Sequence, residues 1–294
     1  MVGNTPLVEL KLLGEIPCGV RILAKAEFMN PSGSVKDRAV RAMLLEGIES
    51  GALCPGKTII DATSGNSGIS YAMMGAFLGY PVTIYQPANA SFERKKMIKT
   101  FGAEIVETDP MESSDGAFNA VQAVFKAEPA KWFYPDQYNN DANWKAHYKT
   151  TAEEIWAQSN GEITHFVSVT GTSGTFMGNS RRLKELNPAI KVYAVQPDSP
   201  MHGIEGTKHL ESTLKPGFFD ETIADGFLEV STDESYNASR ALANGEWLFV
   251  GVSAGANVEA ALKLAKSVPQ GSVIVTVLCD SGSRYLSDEF WEEQ

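Results

Sequence analysis

The chain has 294 residues, of which 43% are hydrophobic and 21% charged, which is ordinary for one large globular domain or two that share a cleft. A net charge of −11 argues against nucleic acid or an anionic membrane surface as a partner. No apolar run approaches the roughly 18 residues of a membrane span. The first residues contain no basic leader followed by an apolar segment, so we expect a cytoplasmic protein.

The cysteines and histidines do not form a pattern typical of a metal site. Cys18, Cys54 and Cys279 are isolated from one another and odd in number, which suits a reducing compartment better than a disulfide framework. The histidines lack metal-ligand spacing; they are His147, His165, His202 and His209. We therefore expect no bound metal.

Short apolar runs alternate with helical patterns along the chain. Strands are predicted at residues 20–26, 58–61, 82–85, 104–106, 165–169, 192–195 and 272–278. Helices are predicted at residues 35–49, 68–78, 92–101, 117–126, 143–158, 175–186, 234–242 and 256–266. This alternation is typical of parallel sheets with helices on both faces, so we predict an α/β fold.

The first segment that could carry chemistry is NPSGSVKDR, residues 30–38. Ser34 is predicted to cap a helix whose first turn contains Lys36 and Asp37. The positive end of a helix dipole disfavours an ammonium, and burial acts in the same direction. Such a lysine could be a neutral amine that attacks a carbonyl, while a solvated lysine is the alternative that this motif alone leaves open.

Two glycine-rich turns, each between a predicted strand and a helix, are candidate anion sites. In the turn at 170–175, Gly171 and Gly174 leave backbone N–H groups open to a phosphate. The turn lacks the lysine of a P-loop and the glycine spacing of a dinucleotide site, so a single terminal phosphate fits it better. The turn at 63–68 adds the amide of Asn66 and would suit a substrate carboxylate. A flexible turn and a simple helix cap are the respective alternatives.

A third glycine-rich turn, GVSAG at residues 251–255, places Ser253 at the end of an apolar run and before a helix. The G-x-S-x-G pattern of hydrolases is matched, but every histidine precedes this serine, whereas a hydrolase places its histidine afterwards. Ser253 is therefore predicted to be a neutral hydrogen-bonding group, with a capping serine as the alternative.

Taken in order, the motifs resemble the cysteine synthase family of fold-type II pyridoxal-phosphate (PLP) enzymes over nearly the whole chain. The motifs that carry the resemblance are VGNTPLV, NPSGSVKDR, TSGNSG, GTSGT, GVSAG and CDSGSRYLS. The stretches at 132–148 and 162–175 look most like the cysteine synthase B type. The resemblance implies a homodimer. It also implies two three-layer αβα domains with mainly parallel twisted sheets and the active site in the cleft between them. The smaller, mobile domain would span 37–140, and the larger PLP-binding domain 1–36 plus 141–294.

The resemblance also implies a role for each motif. Lys36 would hold PLP as a Schiff base and act as the catalytic base, Asn66 would contact the cofactor's 3′-oxygen, and Ser253 would face its pyridine nitrogen. The cofactor's phosphate would be held by Gly171, Thr172, Ser173, Gly174 and Thr175. The substrate carboxylate and its surroundings would be bound by Thr63, Ser64, Gly65, Ser67 and Gln137, with Ser67 where threonine is usual. We also hypothesise that Lys208 attracts an anionic nucleophile or a phosphorylated serine; a solvated lysine is the alternative.

The implied reaction replaces the leaving group of O-acetylserine or O-phosphoserine by sulfide or thiosulfate, giving cysteine or S-sulfocysteine. Condensation with homocysteine, as in cystathionine β-synthase, remains an alternative. A serine/threonine dehydratase or threonine synthase is another, although those enzymes usually have an aromatic residue where this chain has Val35. A non-catalytic binding or sensor protein that keeps the fold is the alternative from outside enzymology.

Overall fold

The computed structural model describes residues 1–11, 16–63 and 65–292. Its strands are Leu7–Leu10 (β1), Arg21–Ala26 (β2), Thr58–Ala62 (β3), Val82–Pro87 (β4), Glu104–Thr108 (β5), Trp132–Phe133 (β6), His165–Val169 (β7), Lys191–Pro197 (β8), Gly226–Val230 (β9) and Val273–Leu278 (β10). Its α-helices are Lys36–Glu49 (α1), Asn66–Leu78 (α2), Phe92–Thr100 (α3), Ser113–Ala127 (α4), Asp141–Ala146 (α5), Ala152–Gln158 (α6), Gly174–Leu186 (α7), Thr232–Gly245 (α8) and Val252–Ala265 (α9). A π-helical segment, His147–Thr151, connects α5 to α6.

The strands form two sheets. The larger has six strands in the order β1-β2-β10-β7-β8-β9, and the smaller has four in the order β5-β4-β3-β6. Every neighbouring pair is parallel except β1 with β2. Parallel strands need a crossover connection, which the intervening helices supply. The predicted α/β fold with mainly parallel sheets is confirmed.

Successive side chains of a strand point to opposite sides of the sheet, and in the central strands both sets are apolar. Helices therefore pack on both faces of each sheet. In β10, Ile274 packs in the cluster that includes Val258 of α9, whereas Val275 packs in the cluster that includes Phe176 of α7. In β3, Ile59 and Ile60 divide in the same way between two smaller clusters. Burying each such side chain stabilises the fold by about 1.5–3 kcal/mol. Each sheet is therefore the middle layer of a three-layer αβα unit.

Most predicted elements are present, and the differences have local causes. The strands β1, β6 and β9 were not predicted: β1 is a four-residue antiparallel edge strand, β6 has two residues, and β9 is partly exposed. The predicted helix 143–158 is interrupted by the π-helical segment, where His147 approaches the start of α7. Helix α1 begins at Lys36 with Val35 at the N-cap, while the Ser34 hydroxyl accepts a hydrogen bond from the Lys36 N–H at 3.3 Å.

The topology brings three glycine-rich turns together. The turn at 63–68 follows β3 and the turn at 170–175 follows β7. The turn at 251–255 leads into α9, which packs beside β10. All strands of the smaller sheet lie between residues 58 and 133, and those of the larger sheet lie outside that range. The domain boundaries at 37 and 140 stay a prediction.

Among the described helices, none combines the length and apolarity needed to cross a membrane.

Candidate active site

A cleft between the two sheets collects most of the predicted cofactor residues. The residues that line it include Lys36, Asn66, Gly171, Thr172, Ser173, Thr175 and Ser253. Gly174 belongs to the same turn as Thr172 but does not line the cleft. Residues separated by more than 200 positions in the chain therefore face one space.

The turn before Lys36 is held from several sides. The carboxylate of Asp37 accepts hydrogen bonds from the Ser32 N–H at 2.7 Å and from the Ser70 hydroxyl at 2.5 Å. The backbone N–H of Val35 donates to the carbonyl of Cys279 at 2.8 Å. Lys36 itself is half-buried, and its amine has no hydrogen-bond or ion-pair partner within the part of the chain that the structure describes. The amine is thus held in the cleft without being engaged by the protein.

The turn after β7 is built for an anion. Ser173 has φ of 63°, a left-handed conformation that directs the chain into α7, and its buried hydroxyl has no partner among the described residues. A Cβ atom at Gly171 would lie 2.2 Å from the carbonyl oxygen of Gly206, and one at Gly174 would lie 2.0 Å from Oδ1 of Asn143. A side chain at Gly171 would therefore clash with the backbone, and one at Gly174 would displace the Asn143 side chain. Backbone N–H groups at the start of a helix bind phosphate well, so this turn fits a phosphate group.

Asn66 is paired with a residue that was assigned no role from the sequence. Its Nδ2 donates to Oδ2 of Asp280 at 2.6 Å, and the Tyr285 hydroxyl donates to the same oxygen at 2.9 Å. The Asn66 Oδ1 and the Asp280 Oδ1 are buried and have no partner in the described chain. Buried polar atoms are ordinarily satisfied, and Asn66 lines the cleft, so its unpaired oxygen indicates that a polar ligand belongs beside it.

The cleft ends at a neutral pair of side chains. Ser253 lies in the first turn of α9 and hydrogen-bonds to the Cys279 thiol. Burial raises the pKa of Cys279 to about 12, so the thiol stays protonated at neutral pH. The Asn257 Nδ2 donates to the Cys279 Sγ at 3.3 Å and fixes its position. A ring nitrogen placed against this end of the cleft would meet a hydroxyl rather than a carboxylate.

The predicted carboxylate residues lie beside the cleft rather than in its lining. The Ser67 hydroxyl donates to Oε1 of Gln137 at 2.8 Å, and both side chains are buried. The hydroxyl of Thr63 accepts from the Gly65 N–H at 3.2 Å. Ser64 lies outside the described residues. Ser67 and Gln137 are therefore brought together, and Thr63 with Gly65 shapes the turn that precedes them.

Lys208 does not line the cleft. Its Nζ lies 3.9 Å from Oδ1 of Asp115 and 4.5 Å from the centroid of the Tyr138 ring, and burial lowers the pKa of Lys208. A different charged residue of the same segment, Glu205, lines the cleft instead and pairs with Arg94 of α3. The sequence offered no signal for this pair, because the two residues meet only when the two sheets are assembled.

The residues present fit PLP. A partner-free amine, a turn suited to phosphate, the unpaired amide oxygen of Asn66 and a neutral serine lie in one cleft. They would face the cofactor's aldehyde, phosphate, ring hydroxyl and ring nitrogen. The Lys36 amine would hold the aldehyde and the turn at 171–175 would hold the phosphate.

Comparison with known proteins shows the family and the cofactor. The sequence pattern of the family described as pyridoxal-phosphate dependent enzyme matches residues 1–280. Cysteine synthase of Aquifex aeolicus is 50% identical, with 100% of this chain and 91% of that protein covered. Cysteine synthase B of Salmonella typhimurium is 40% identical, with coverage of 100% and 95%. The crystal structure of cysteine synthase from Entamoeba histolytica matches with a TM-score of 0.94 at 36% identity, covering 100% of this chain and 89% of that one. The family predicted from the motifs is confirmed: the chain belongs to the pyridoxal-phosphate dependent enzymes, and within them to the cysteine synthases.

Proposed function

We propose that this protein forms cysteine by replacing the acetate of O-acetylserine with sulfide in the cleft around Lys36. The observation that carries the proposal is the position of a partner-free lysine amine in one cleft with a phosphate cradle and a neutral serine. The 50% identity to a cysteine synthase over the whole chain supports the same reaction.

The residues of the cleft determine which bond of the amino acid breaks. Bound PLP would supply an electron sink for the Cα of the substrate. The Lys36 amine, which has no protein partner in the cleft, would act as the general base for the Cα proton. Ser253 and the protonated Cys279 thiol place no negative charge beside the ring nitrogen. Without a carboxylate beside it, the ring nitrogen would not be held protonated, and the cofactor would be a weaker electron sink. A weaker sink favours loss of the β-substituent over transamination.

The smaller sheet supplies the substrate's carboxylate site and the cover of the cleft. Helix α2 begins at Asn66, which already contacts Asp280 of the larger unit, so the turn at 63–67 is close enough to enclose a bound amino acid. Enclosure would keep water from the reactive carbon. We take residues 37–140 as the smaller mobile domain, and a homodimer in the cytoplasm as the working form.

The choice of leaving group and sulfur donor depends on finer features. O-phosphoserine and thiosulfate are anionic, and Lys208 is the cation of the 203–210 segment that could attract them if its contact with Asp115 opened. We therefore include both compounds as candidate substrates. An unchanged rate with thiosulfate and with O-phosphoserine in Lys208→Ala would remove Lys208 from the site.

The test is a substrate matrix with purified protein. O-acetylserine and O-phosphoserine are each combined with sulfide, thiosulfate and homocysteine, and the products are identified by mass. The expected product with O-acetylserine and sulfide is cysteine, lost in Lys36→Ala and retained in Lys57→Ala, a lysine of the loop before β3. Cystathionine as the preferred product would instead identify a condensing enzyme. Ammonia with a keto acid would identify a dehydratase.

A further inference from the structure

A buried carboxylate, Asp61, lies behind the residues assigned to the substrate's carboxylate. Asp61 is the fourth residue of β3 and is almost fully buried, with no basic residue bonded to it in the part of the chain that the structure describes. Its Oδ1 accepts the Ala62 N–H at 2.8 Å, and its Oδ2 accepts from Nε2 of Gln137 at 3.2 Å. A carboxylate buried without a cation needs an explanation, because its desolvation is costly.

The side-chain amide of Gln137 has a single orientation in the structure, with Nε2 towards Asp61 and Oε1 towards Ser67. Its Nε2 donates to Asp61 and also to the carbonyl of Ala62 at 3.1 Å, so both of its N–H groups are used. Its Oε1 is left to accept the hydrogen of the Ser67 hydroxyl at 2.8 Å. In this arrangement neither Gln137 nor Ser67 has a hydrogen to offer a substrate carboxylate. The side chains of Ser67 and Gln137, two of the residues assigned to carboxylate binding, are therefore occupied by each other.

We propose that Asp61 is a positioning residue that sets the direction of the Gln137 amide and thereby decides whether Ser67 can donate to the carboxylate of an amino-acid substrate. This inference rests on the proposed function, whose substrate carries that carboxylate. Turning the amide by 180° would present Nε2 to Ser67. Ser67 would then accept from Gln137 and would be free to donate its own hydrogen to the substrate.

The turned amide requires a proton on Asp61. It brings Oε1 of Gln137 against Oδ2 of Asp61, and two acceptors repel each other unless one carries a hydrogen. A protonated Asp61 donates to Oε1 and makes the turned arrangement favourable. The turned amide also loses its hydrogen bond to the Ala62 carbonyl and places Oε1 beside that oxygen. The bond from protonated Asp61 and the charge-assisted bond from Ser67 to the substrate carboxylate offset this cost.

The surroundings of Asp61 raise its pKa to near neutral pH. Burial raises the pKa of Asp61 to about 7, and the nearby Asp136 acts in the same direction. Hydrogen bonds from Tyr71, the Ala62 N–H and Gln137 act in the opposite direction and are weaker than the effect of burial. The other ionisable groups that interact electrostatically with Asp61 are the neutral phenols of Tyr134 and Tyr138. Substrate binding should therefore take up a proton above pH 7.

The test compares wild type with Asp61→Asn for binding of L-serine to the cofactor-loaded enzyme. The asparagine keeps the acceptor for the Ala62 N–H and places a permanent donor where the protonated Asp61 would have one. Between pH 6.5 and 8.5, the Kd of the wild type should rise on the order of tenfold more than that of Asp61→Asn. Calorimetry in buffers of different ionisation enthalpy should show the wild type taking up close to one more proton per site at pH 8.5.

Asp109→Asn is the matched control, because Asp109 is an exposed aspartate directly after β5, an edge strand of the same sheet, and an asparagine can keep its capping bond to the Met111 N–H. It should follow the wild type in both measurements. Parallel pH curves for wild type and Asp61→Asn, or equal proton uptake, would overturn the inference. L-serine binding involves no sulfur donor, so this result is independent of whether cysteine is formed. Wild type that binds L-serine with this pH dependence but makes no cysteine would overturn only the proposed function.

Discussion

At the scale of single residues, the cleft is notable for buried polar atoms that the protein leaves unpaired. The Ser173 hydroxyl, Oδ1 of Asn66 and Oδ1 of Asp280 have no partner among the described residues. Each unpaired buried group costs about 1–3 kcal/mol. A ligand that satisfies them binds tightly and stabilises the fold by mass action, so cofactor content and thermal stability should change together.

The turn at 171–175 gives the first prediction. In Gly171→Ala the new methyl group would lie 2.2 Å from the backbone carbonyl of Gly206, which cannot rotate away as a side chain would. Overpacking of this kind costs about 1–3 kcal/mol, and the shift falls on the phosphate cradle. We expect PLP affinity to fall by at least about tenfold, measured by titration of the apoprotein with PLP.

The control for this substitution is Gly245→Ala at the end of α8, where a Cβ would meet no atom within 4 Å. It should retain the PLP affinity of the wild type. If Gly171→Ala bound PLP as tightly as Gly245→Ala, the turn at 171–175 would not be the phosphate site.

At the scale of secondary-structure elements, helix α1 is fixed by a buried ionic network. Arg38 in its first turn bonds to both carboxylate oxygens of Glu27 at 2.7 Å and to Oε2 of Glu154 in α6 at 2.7 Å. Lys25 of β2 lies 2.7 Å from the same Glu154 oxygen. Because Lys36 is the first residue of α1, this network sets where the amine that we propose as the PLP-binding group lies relative to the larger sheet.

The network predicts a pH-dependent stability. Burial alone would raise the pKa of Glu154, but hydrogen bonds from Arg38 and Lys25 outweigh it and lower the pKa to about 2. A lowered folded-state pKa contributes stability above the unfolded-state value of about 4.3, and this contribution is lost as the pH falls towards 2. Glu154→Gln should therefore reduce the free energy of unfolding by about 3 kcal/mol at pH 7.

Urea unfolding at a series of pH values measures this difference. The gap between wild type and Glu154→Gln should narrow below pH 4.3, while the exposed Glu49→Gln should match the wild type throughout. A gap at pH 7 that is absent, or that persists unchanged at pH 3, would contradict the assigned role of Glu154.

The elements themselves were largely predictable from the sequence, for a physical reason. Strands such as His165–Val169 and Val273–Leu278 are buried on both faces, and their sequences are mostly apolar and rich in β-branched residues. β1 and β9 escaped prediction because they are partly exposed at the sheet edges, and their patterns are weaker. The π-helical segment at His147–Thr151 depends on packing against α7, which local periodicity does not encode.

At the scale of the whole molecule, the two sheets are joined by polar contacts around the cleft. Arg94 of α3 pairs with Glu205, Asn66 contacts Asp280, and Lys208 faces Asp115 of α4. Arg94 is buried and also lies over the Tyr285 ring at 4.6 Å. These contacts hold the smaller sheet against the site in the arrangement described.

The Arg94–Glu205 pair predicts that substrate affinity depends on closure. In Glu205→Gln the buried Arg94 loses its carboxylate partner, which should favour opening of the cleft. Because Glu205 is 43% exposed, we expect an effect of at most about 1 kcal/mol, or about fivefold in KM for O-acetylserine. The variant's KM should also be less sensitive to salt than that of the wild type.

Lys215→Gln breaks an exposed ion pair with Glu221 away from the cleft and is the control for Glu205→Gln. It should leave KM and its salt dependence as in the wild type. Identical KM values and identical salt dependence in Glu205→Gln would mean that this pair does not hold the cleft closed.

The site was predictable in part. The glycine-rich turns and Lys36 were found because each motif is local in sequence, and their order along the chain carried the family resemblance. Asp61, Asp280, Glu205 and Arg94 were missed because their contacts cross between elements; Asn66 and Asp280, for example, are 214 positions apart. The hydrogen bond between Gln137 and Asp61 could not be predicted either, although Asp61 lies only two residues before the turn at 63–68.

The central claim is that Lys36 is the residue that holds PLP. Borohydride reduction of the loaded enzyme converts a Schiff base into a stable secondary amine, and peptide mass spectrometry then locates the modified lysine. We expect a phosphopyridoxyl group on the peptide that contains Lys36 and on no other. Modification of a different lysine, such as Lys25 or Lys208, or no modification in protein that retains bound PLP, would contradict it.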